Sequence, residues 1–176
     1  MSRLAKKPIA VGKAQVSVAG DTLTVKGAKA TLTKQVHPTI AIEVTPEGVM
    51  ISGKNTSRLA RALTGTYASH VRNMVKGVET PYKIGMILEG VGYRVEVKGK
   101  EMSFLVGKSH PVKLAIPEGV TATAEKNAIT LESSDKEAVG QFAANVRAVK
   151  PPEPYLGKGI RYQGEVIRRK QGKKAV

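Results

Sequence analysis

The feature that most constrains the fold is an internal duplication. Residues 63–72 match residues 138–147 at a constant offset of 75 positions, with Gly, Ala, Val and Arg repeated and Tyr67 aligned with Phe142. A fixed offset over such a stretch indicates that one structural unit occurs twice. We therefore expect the 176 residues to form two similar units.

Both copies of the repeated stretch are predicted to be helices. In the first, apolar side chains recur every four residues and should form the buried face, at Leu59, Leu63, Tyr67, Val71 and Val75. Three residues could cap its start, namely Asn55, Thr56 and Ser57. Gly77 and Pro81 should end it.

The second helix should begin near Ser134 or Asp135 and carry Glu137 in its first turn. Its buried residues should be Val139, Phe142, Ala143 and Val146. Gly65 and Gly140 lie inside the two helices, where glycine costs about 1 kcal/mol relative to alanine. We expect a close approach of each helix to a sheet to explain both glycines.

Upstream of each helix, apolar and polar residues alternate with a period of two, which is typical of strands. In the first half the predicted strands lie around residues 16–18, 22–25, 40–44 and 49–51. In the second half they lie around residues 86–88, 93–97, 102–106, 120–125 and 128–132. The predicted fold class is α+β, with two tandem domains at 1–80 and 81–176. Each should be an antiparallel β-sheet packed against one α-helix.

The charge is large and lies mostly at the two ends. The net charge is +15, of which residues 1–13 carry +4 and residues 150–176 carry +6. Basic extensions of this kind neutralise phosphates and release counterions, which favours a polyanionic partner. The alternative for either end alone is a solvated tail. We also expect the first copy to be the less basic and to face protein or solvent.

Features of other functional classes are weak or missing. The chain has no cysteine and no apolar run long enough to span a membrane, so we expect a cytosolic protein without disulfides. His37, His70 and His110 share no metal-ligand spacing, and we predict no metal, cofactor, small-molecule substrate or catalytic residue. Residues 48–54 fit the phosphate-loop spacing, but Asn55 replaces the magnesium-binding Ser or Thr. A nucleotide hydrolase and a binder of anionic membranes or acidic proteins remain the rival hypotheses.

The region after the second helix breaks the repeat. Prolines at 151, 152 and 154 stop the helix, and we predict a stiff turn, a short strand at most and a basic tail. Tyr155 and Tyr162 can stack on bases while neighbouring cations meet phosphate, or they can brace the turn. Packing of each tyrosine on its own domain is the alternative. Gly157 and Gly159 would let the backbone approach a phosphate closely.

Three stretches resemble motifs of a known family. The run KPPEPYLGKGIRY at 150–162 looks like the C-terminal signature of the bacterial large-subunit (50S) ribosomal protein L6 family. GVGYR at 90–94 and SHPV at 109–112 resemble two further motifs of that family. Departures are Leu156 in place of a common lysine, Lys108 in place of a frequent aromatic residue, and a modified turn at 27–30.

This resemblance implies a structural role in the cytoplasmic ribosome. Family members bind 23S rRNA, mostly through the second domain and the tail, near the sarcin–ricin loop, the stalk base and the site where translation factors dock. Neighbouring large-subunit proteins and translation factors would then be close, and no membrane would be involved. Together with the charge pattern, it marks these residues as predicted RNA contacts: Arg94, Lys108, His110, Lys150, Tyr155, Lys158, Arg161, Tyr162, Arg168, Arg169, Lys170, Lys173 and Lys174.

Overall fold

The computed structural model of the protein describes residues 7–172. These residues form two compact units. The first unit contains the residues up to Pro81 together with Ser134–Lys136, and the second contains Tyr82–Ser133 and the residues from Glu137 onward.

The first unit is built from five strands and one helix. A three-stranded antiparallel sheet has the order β1-β2-β3, with β1 at Gln15–Ala19, β2 at Thr22–Lys26 and β3 at Thr31–Gln35. A separate antiparallel hairpin pairs β4 at Ile40–Thr45 with β5 at Gly48–Gly53. The helix α1 runs from Arg58 to Glu79. Strand β3 was not predicted because Leu32 is the only apolar residue among its five.

The turn between β2 and β3 is closed despite its modified sequence. The Gly27 amide donates a hydrogen bond to the Ala30 carbonyl at 3.0 Å. A side chain at Gly27 would collide with Val78 of α1, since a Cβ there would lie 2.6 Å from the Val78 Cβ. Glycine is therefore needed at the first position of this turn for packing against the helix.

Helix α1 begins as predicted, but its buried face differs from the predicted one. Ser57 is the N-cap, and its hydroxyl accepts a hydrogen bond from the Ala60 amide at 3.1 Å. Leu59 is 54% exposed, so its predicted burial is wrong, whereas Val71 and Val75 are buried. The reason is that a step of four residues overshoots one helical turn by about 40°, and the line therefore drifts around the helix. The face towards the core instead comprises Ala60, Thr64, Ala68, Val71, Met74, Val75, Gly77 and Val78.

The end of α1 also lies later than predicted. Gly77 is buried within the helix and does not end it. The last helical residue is Glu79, and the Thr80 amide donates to the Lys76 carbonyl at 2.8 Å. Pro81 follows, so the proline and not the glycine marks the stop.

The second unit has seven strands and one helix. Its strands are β6 at Tyr82–Glu89, β7 at Arg94–Lys98, β8 at Glu101–Leu105, β9 at Val112–Ala115, β10 at Val120–Glu125, β11 at Ala128–Ser133 and β12 at Gly159–Tyr162. A four-stranded antiparallel sheet has the order β10-β11-β6-β12, and a three-stranded one has the order β7-β8-β9. The helix α2 runs from Lys136 to Val149. The predicted α+β class is confirmed, with the strands of each unit divided between two sheets.

The core of the second unit lies between α2 and its sheets. Phe104, Leu131 and Ile160 are fully buried, and burying such side chains stabilises by about 1.5–3 kcal/mol each. Helix α2 buries all four of the predicted residues and also Val149. The predicted reason for Gly140 is wrong, because a Cβ at this position would have no neighbour within 4 Å.

Candidate nucleic-acid interface

The candidate interface is the C-terminal segment, residues 150–172, which follows α2. It starts with a proline-rich turn that is closed by its own backbone. The Glu153 amide donates to the Lys158 carbonyl at 2.9 Å, and the Gly157 amide donates to the Glu153 carbonyl at 3.0 Å. Prolines fix φ at three positions of this turn, so little conformational freedom is left to it.

Strand β12 anchors the turn to the core of the second unit. Ile160 lies opposite Leu88 of β6, and both side chains are buried. The Ile160 amide also donates to the Lys150 carbonyl at 2.8 Å. The predicted short strand is thus present, and it holds the flanking residues on a rigid base.

The two glycines of the turn serve contacts within the protein. Gly159 has a φ of 140°, and a Cβ there would lie 2.6 Å from the Pro151 carbonyl oxygen. Gly157 has a φ of 77°, and the Arg169 guanidinium would lie 3.2 Å from its Cβ. Both glycines are buried. The backbone of Pro151 therefore fills the space next to Gly159, which corrects the expectation that a phosphate approaches there. The neighbour of Gly157 is the exposed Arg169 side chain, so the approach of a phosphate to Gly157 stays a prediction.

Two acidic side chains engage the arginines nearest to the core. The Arg161 Nη2 lies 2.5 Å from Glu89 Oε1, and its Nη1 donates to the Glu165 carbonyl at 3.1 Å. Arg147 of α2 donates from Nη2 to Glu165 Oε1 at 2.6 Å and from Nε to Oε2 at 3.3 Å. Arg161, a predicted phosphate contact, is thus held by protein acceptors, and its contact with RNA stays a prediction.

Glu165 also connects this network to Tyr162. The Tyr162 amide donates to Glu165 Oε2 at 3.0 Å, and the Arg147 guanidinium lies 6.0 Å from the centre of the Tyr162 ring. The hydrogen bond from Arg147, followed by that from the Tyr162 amide, lowers the pKa of the Glu165 carboxyl below its usual range. Tyr162 is half-buried against the core of the second unit, an arrangement that suits bracing better than stacking.

A second group of residues in the C-terminal segment faces solvent. Arg168, Arg169 and Lys170 are exposed, and the Lys170 amide donates to the Pro154 carbonyl at 2.8 Å. This bond brings the three cations to the proline-rich turn, where Tyr155 is 52% exposed. Lys150 and Lys158 are half-buried in the same turn. Lys173 and Lys174 lie outside the described residues.

The three other predicted contacts lie at the first residue of β7 and in the loop between β8 and β9. Arg94, Lys108 and His110 are all exposed. The Tyr93 ring packs against Gly90 of its own loop and reaches Gly107, where a Cβ would lie 3.4 Å from the ring. This contact joins the loop that precedes Arg94 to the loop that holds Lys108 and His110.

The distribution of charge corrects one expectation. The first copy was predicted to be the less basic, but residues 1–81 hold 12 basic and 4 acidic side chains, a net charge of +8. Residues 82–176 hold 17 basic and 10 acidic side chains, a net charge of +7. The acids of the second copy thus offset much of the charge of its basic tail.

Sequence analysis did not include Arg147 and Glu89 in the site. Arg147 lies 18 positions before Glu165, and Glu89 lies 72 positions before Arg161. The acid Glu165 within the basic tail was the only feature of the sequence that could have indicated such ion pairs.

The structure contradicts the nucleotide-hydrolase hypothesis, which rested on the phosphate-loop spacing of residues 48–54. Residues 48–53 form strand β5, which pairs along its length with β4, so the glycine-rich run is not a phosphate-binding loop. Within residues 7–172, no group of three or more His, Asp or Glu side chains could hold a metal ion. Among the same residues, neither helix is long and apolar enough to cross a membrane.

Comparison with known proteins gives a consistent result. The family model described as Ribosomal protein L6 matches residues 12–80 and again residues 89–163, which agrees with two tandem copies. A protein of Fusobacterium nucleatum is 46% identical over 177 residues, covering 99% of this chain and 100% of its own length. Proteins of Synechococcus and of Desulfosudis oleivorans are 45% and 42% identical, each covering 98% of this chain, and 97% and 99% of their own lengths. All three carry the name large ribosomal subunit protein uL6.

Proposed function

The chain belongs to the ribosomal protein L6 family, and from this premise we propose that it is a structural constituent of the large ribosomal subunit and binds 23S rRNA through its C-terminal segment. The observation that carries the proposal is the exposed group formed by Tyr155, Arg168, Arg169 and Lys170 on a rigid turn. Cations in this arrangement can meet phosphates while the tyrosine stacks on a base or ribose.

The rigidity of the turn contributes to affinity. Three prolines, the closed backbone and the buried Ile160 order the segment before RNA arrives. A preordered segment loses less conformational entropy on binding than a flexible one does. The network of Arg147, Arg161 and Glu165 then acts as support for the exposed cations and not as the RNA contact itself.

The proposal includes a location and neighbours. The resemblance of residues 90–94, 109–112 and 150–162 to the family motifs supports a position near the sarcin–ricin loop, the stalk base and the translation-factor site. Arg94, Lys108 and His110 would then add further rRNA contacts in the same unit. Neighbouring large-subunit proteins are the proposed protein partners, and the cytoplasmic ribosome is the proposed location.

Catalysis forms no part of this function. Proteins of this family are structural, and the prediction that the chain is not an enzyme is confirmed by its membership of the family. The rival hypothesis of a membrane-surface binder required a basic amphipathic helix in the tail. The described part of the tail, residues 163–172, contains no helix.

The test compares two variants with equal loss of charge. Arg168→Gln/Arg169→Gln/Lys170→Gln removes three exposed cations of the segment, and Lys100→Gln/Lys113→Gln/Lys126→Gln removes three exposed cations elsewhere in the same unit. Binding to 23S rRNA is measured over a range of salt concentrations. The salt slope is the slope of the logarithm of the binding constant against the logarithm of the salt concentration. The first variant should lower its magnitude by about three units, since each phosphate contact contributes about one. The second should leave it almost unchanged.

Unfolding in urea confirms that both variants are folded. Equal salt slopes for the two variants would contradict the proposal, because binding would then depend on total charge and not on the C-terminal segment.

A further inference from the structure

The cations of the first unit are less balanced by acids than those of the second. Without the two basic ends, residues 14–81 carry 8 basic and 4 acidic side chains, and residues 82–149 carry 9 and 8. In the second unit, acids lie directly beside several of these cations, as in the Lys83–Glu132 pair at 2.6 Å and the Lys98–Glu96 pair at 2.8 Å. The first unit therefore has an excess of positive charge that needs a physical explanation.

Much of this excess lies on one face of α1. The outward stripe of the helix, at steps of three and four residues, consists of Arg58, Ala62, Gly65, Ser69, Arg72 and Lys76. Arg61 lies beside it. The stripe has cations at both ends and small residues in the middle, and Arg58 and Arg72 are separated by about 21 Å along the helix axis.

The three arginines of α1 are exposed and have no acidic partner among the described residues. The single acid of the helix, Glu79, lies at its far end and accepts a hydrogen bond from the Lys13 amide at 2.9 Å. Arg58 and Arg61 lie three residues apart on the helix and repel each other, which is unfavourable for the isolated protein. A partner that supplies phosphates would replace this repulsion with a favourable attraction to the arginines.

The identity of the charged residues also indicates phosphate. Arginine presents a planar fork of donors that binds a phosphate with two hydrogen bonds, which lysine cannot do. Ala62 is exposed and has a small side chain, so a nucleic-acid backbone can approach the helix closely at this position, between Arg58 and Arg72. Helical RNA exposes a wide, shallow minor groove bordered by phosphates, which a helix face with this profile can contact.

The opposite face of α1 excludes an anionic membrane as the partner. A basic amphipathic helix binds a membrane by burying its apolar face among the lipids. In α1 that face is already buried in the core, where Ala68, Val71 and Val78 are at most 2% exposed. Only the polar, cationic face remains for a partner.

We propose that the outward face of α1 is a second RNA contact, through which the first unit binds a helical segment of 23S rRNA by means of Arg58, Arg61 and Arg72. This inference rests on the proposed function and extends it. The resemblance to the family implied that RNA is bound mostly by the second unit and the tail. The α1 face gives the first unit an RNA contact of its own.

The first experiment measures binding of the full chain to 23S rRNA as a function of salt. Arg58→Gln/Arg72→Gln removes the two arginines of the stripe, and Lys26→Gln/Lys29→Gln removes two exposed lysines of the same unit outside α1. The arginine variant should bind about tenfold more weakly near physiological salt, with a salt slope lower by about two units. The lysine variant should behave like the wild type.

The second experiment maps the contact directly and uses the absence of cysteine in the chain. Thr66→Cys places a single thiol at an exposed position beside the stripe, and Thr22→Cys places one on the exposed end of β2. An iron chelate attached to each thiol generates hydroxyl radicals that cut nearby RNA. We expect cuts from position 66 at nucleotides that position 22 does not reach.

The outcomes separate this inference from the proposed function. If the wild type does not bind 23S rRNA, the proposed function fails. If the wild type binds but Arg58→Gln/Arg72→Gln keeps its affinity and salt slope, and position 66 cuts no RNA, the inference alone is overturned. Retained RNA binding by this variant, together with lost binding to a large-subunit protein or to phosphatidylserine vesicles, would also overturn it.

Discussion

At the scale of single residues, Glu165 accepts hydrogen bonds from the Arg147 side chain and from the Tyr162 amide, while its own carbonyl accepts one from Arg161. Glu165 thus binds Arg147 and the Tyr162 amide through its carboxylate and Arg161 through its backbone carbonyl. Without this acid, the like charges of Arg147 and Arg161 would repel each other. The exposed cations that follow in the chain are held separately, by the bond from the Lys170 amide to the Pro154 carbonyl.

We predict that Glu165→Gln destabilises the protein by about 1–3 kcal/mol at neutral pH, because hydrogen bonds between charged groups are lost. The pKa of Glu165 is lowered in the folded state. Its stabilising contribution is therefore complete above the pKa of the unfolded state and is lost as the pH falls through the lowered folded-state pKa. Urea unfolding of the variant and the wild type at several pH values measures the difference, which should shrink at acid pH.

Glu125→Gln is the control for this prediction. Glu125 is exposed on β10, and the change removes the same charge without removing any of these hydrogen bonds. A free energy of unfolding that falls equally in both variants would show that the overall charge matters and not the network.

At the scale of elements, α2 contains a glycine that packing does not explain. Gly140 lies in the interior of the helix, and the position of its missing Cβ is open. The helix is held by Val139, Phe142, Ala143 and Val146, whose side chains are buried, and Gly140 lies half-buried at the edge of this face. The fold of the isolated protein therefore does not require glycine here.

We predict that Gly140→Ala raises the free energy of unfolding by about 1 kcal/mol, the difference in helix propensity between the two residues. Chemical denaturation of the purified protein measures this change. Ala144→Gly, about one helical turn later at an exposed position of α2, should lower it by a similar amount. A loss of stability in Gly140→Ala would mean that the Cβ does meet a neighbour in the folded chain.

At the scale of the whole molecule, each unit has a hydrophobic core of its own. One cluster of buried residues extends from Ile9 to Val78, and the other extends from Met86 to Ile160. A unit with a separate core can unfold without the other. The division into domains 1–80 and 81–176 is our proposal for the limits of these cooperative units.

We predict that fragments 1–80 and 81–176 each fold when they are produced separately, because each retains its complete core. Circular dichroism during urea unfolding should show one cooperative transition for each fragment. A fragment that shows helical signal but no cooperative transition would contradict the proposed boundary. A shift of the cut to residue 70, which removes the end of α1 with Val71 and Val78, is the control that should abolish folding of the first fragment.

Much of the secondary structure could be predicted because it depends on local patterns. The hairpin strands around residues 120–132 and the buried residues of α2 follow from periods that the sequence displays directly. Strand β3 was missed because it has one apolar residue, and β9 was missed because it is short and follows Pro111. Leu59 was wrongly predicted to be buried, because a spacing of four residues is longer than the 3.6-residue period of a helix.

The sequence by itself determined the duplication, the α+β class and the basic character of the C-terminal segment, since repeats, periodicity and charge can be read from the order of the residues alone. Only the tertiary structure decided which cations are available to a partner. Arg161 forms an ion pair with Glu89, which lies 72 positions away in the chain, and Arg147 forms one with Glu165, which lies 18 positions away. The arginines of α1 contact no acid among the described residues. Charge pairing depends on distances in space, and the folding of the chain sets those distances.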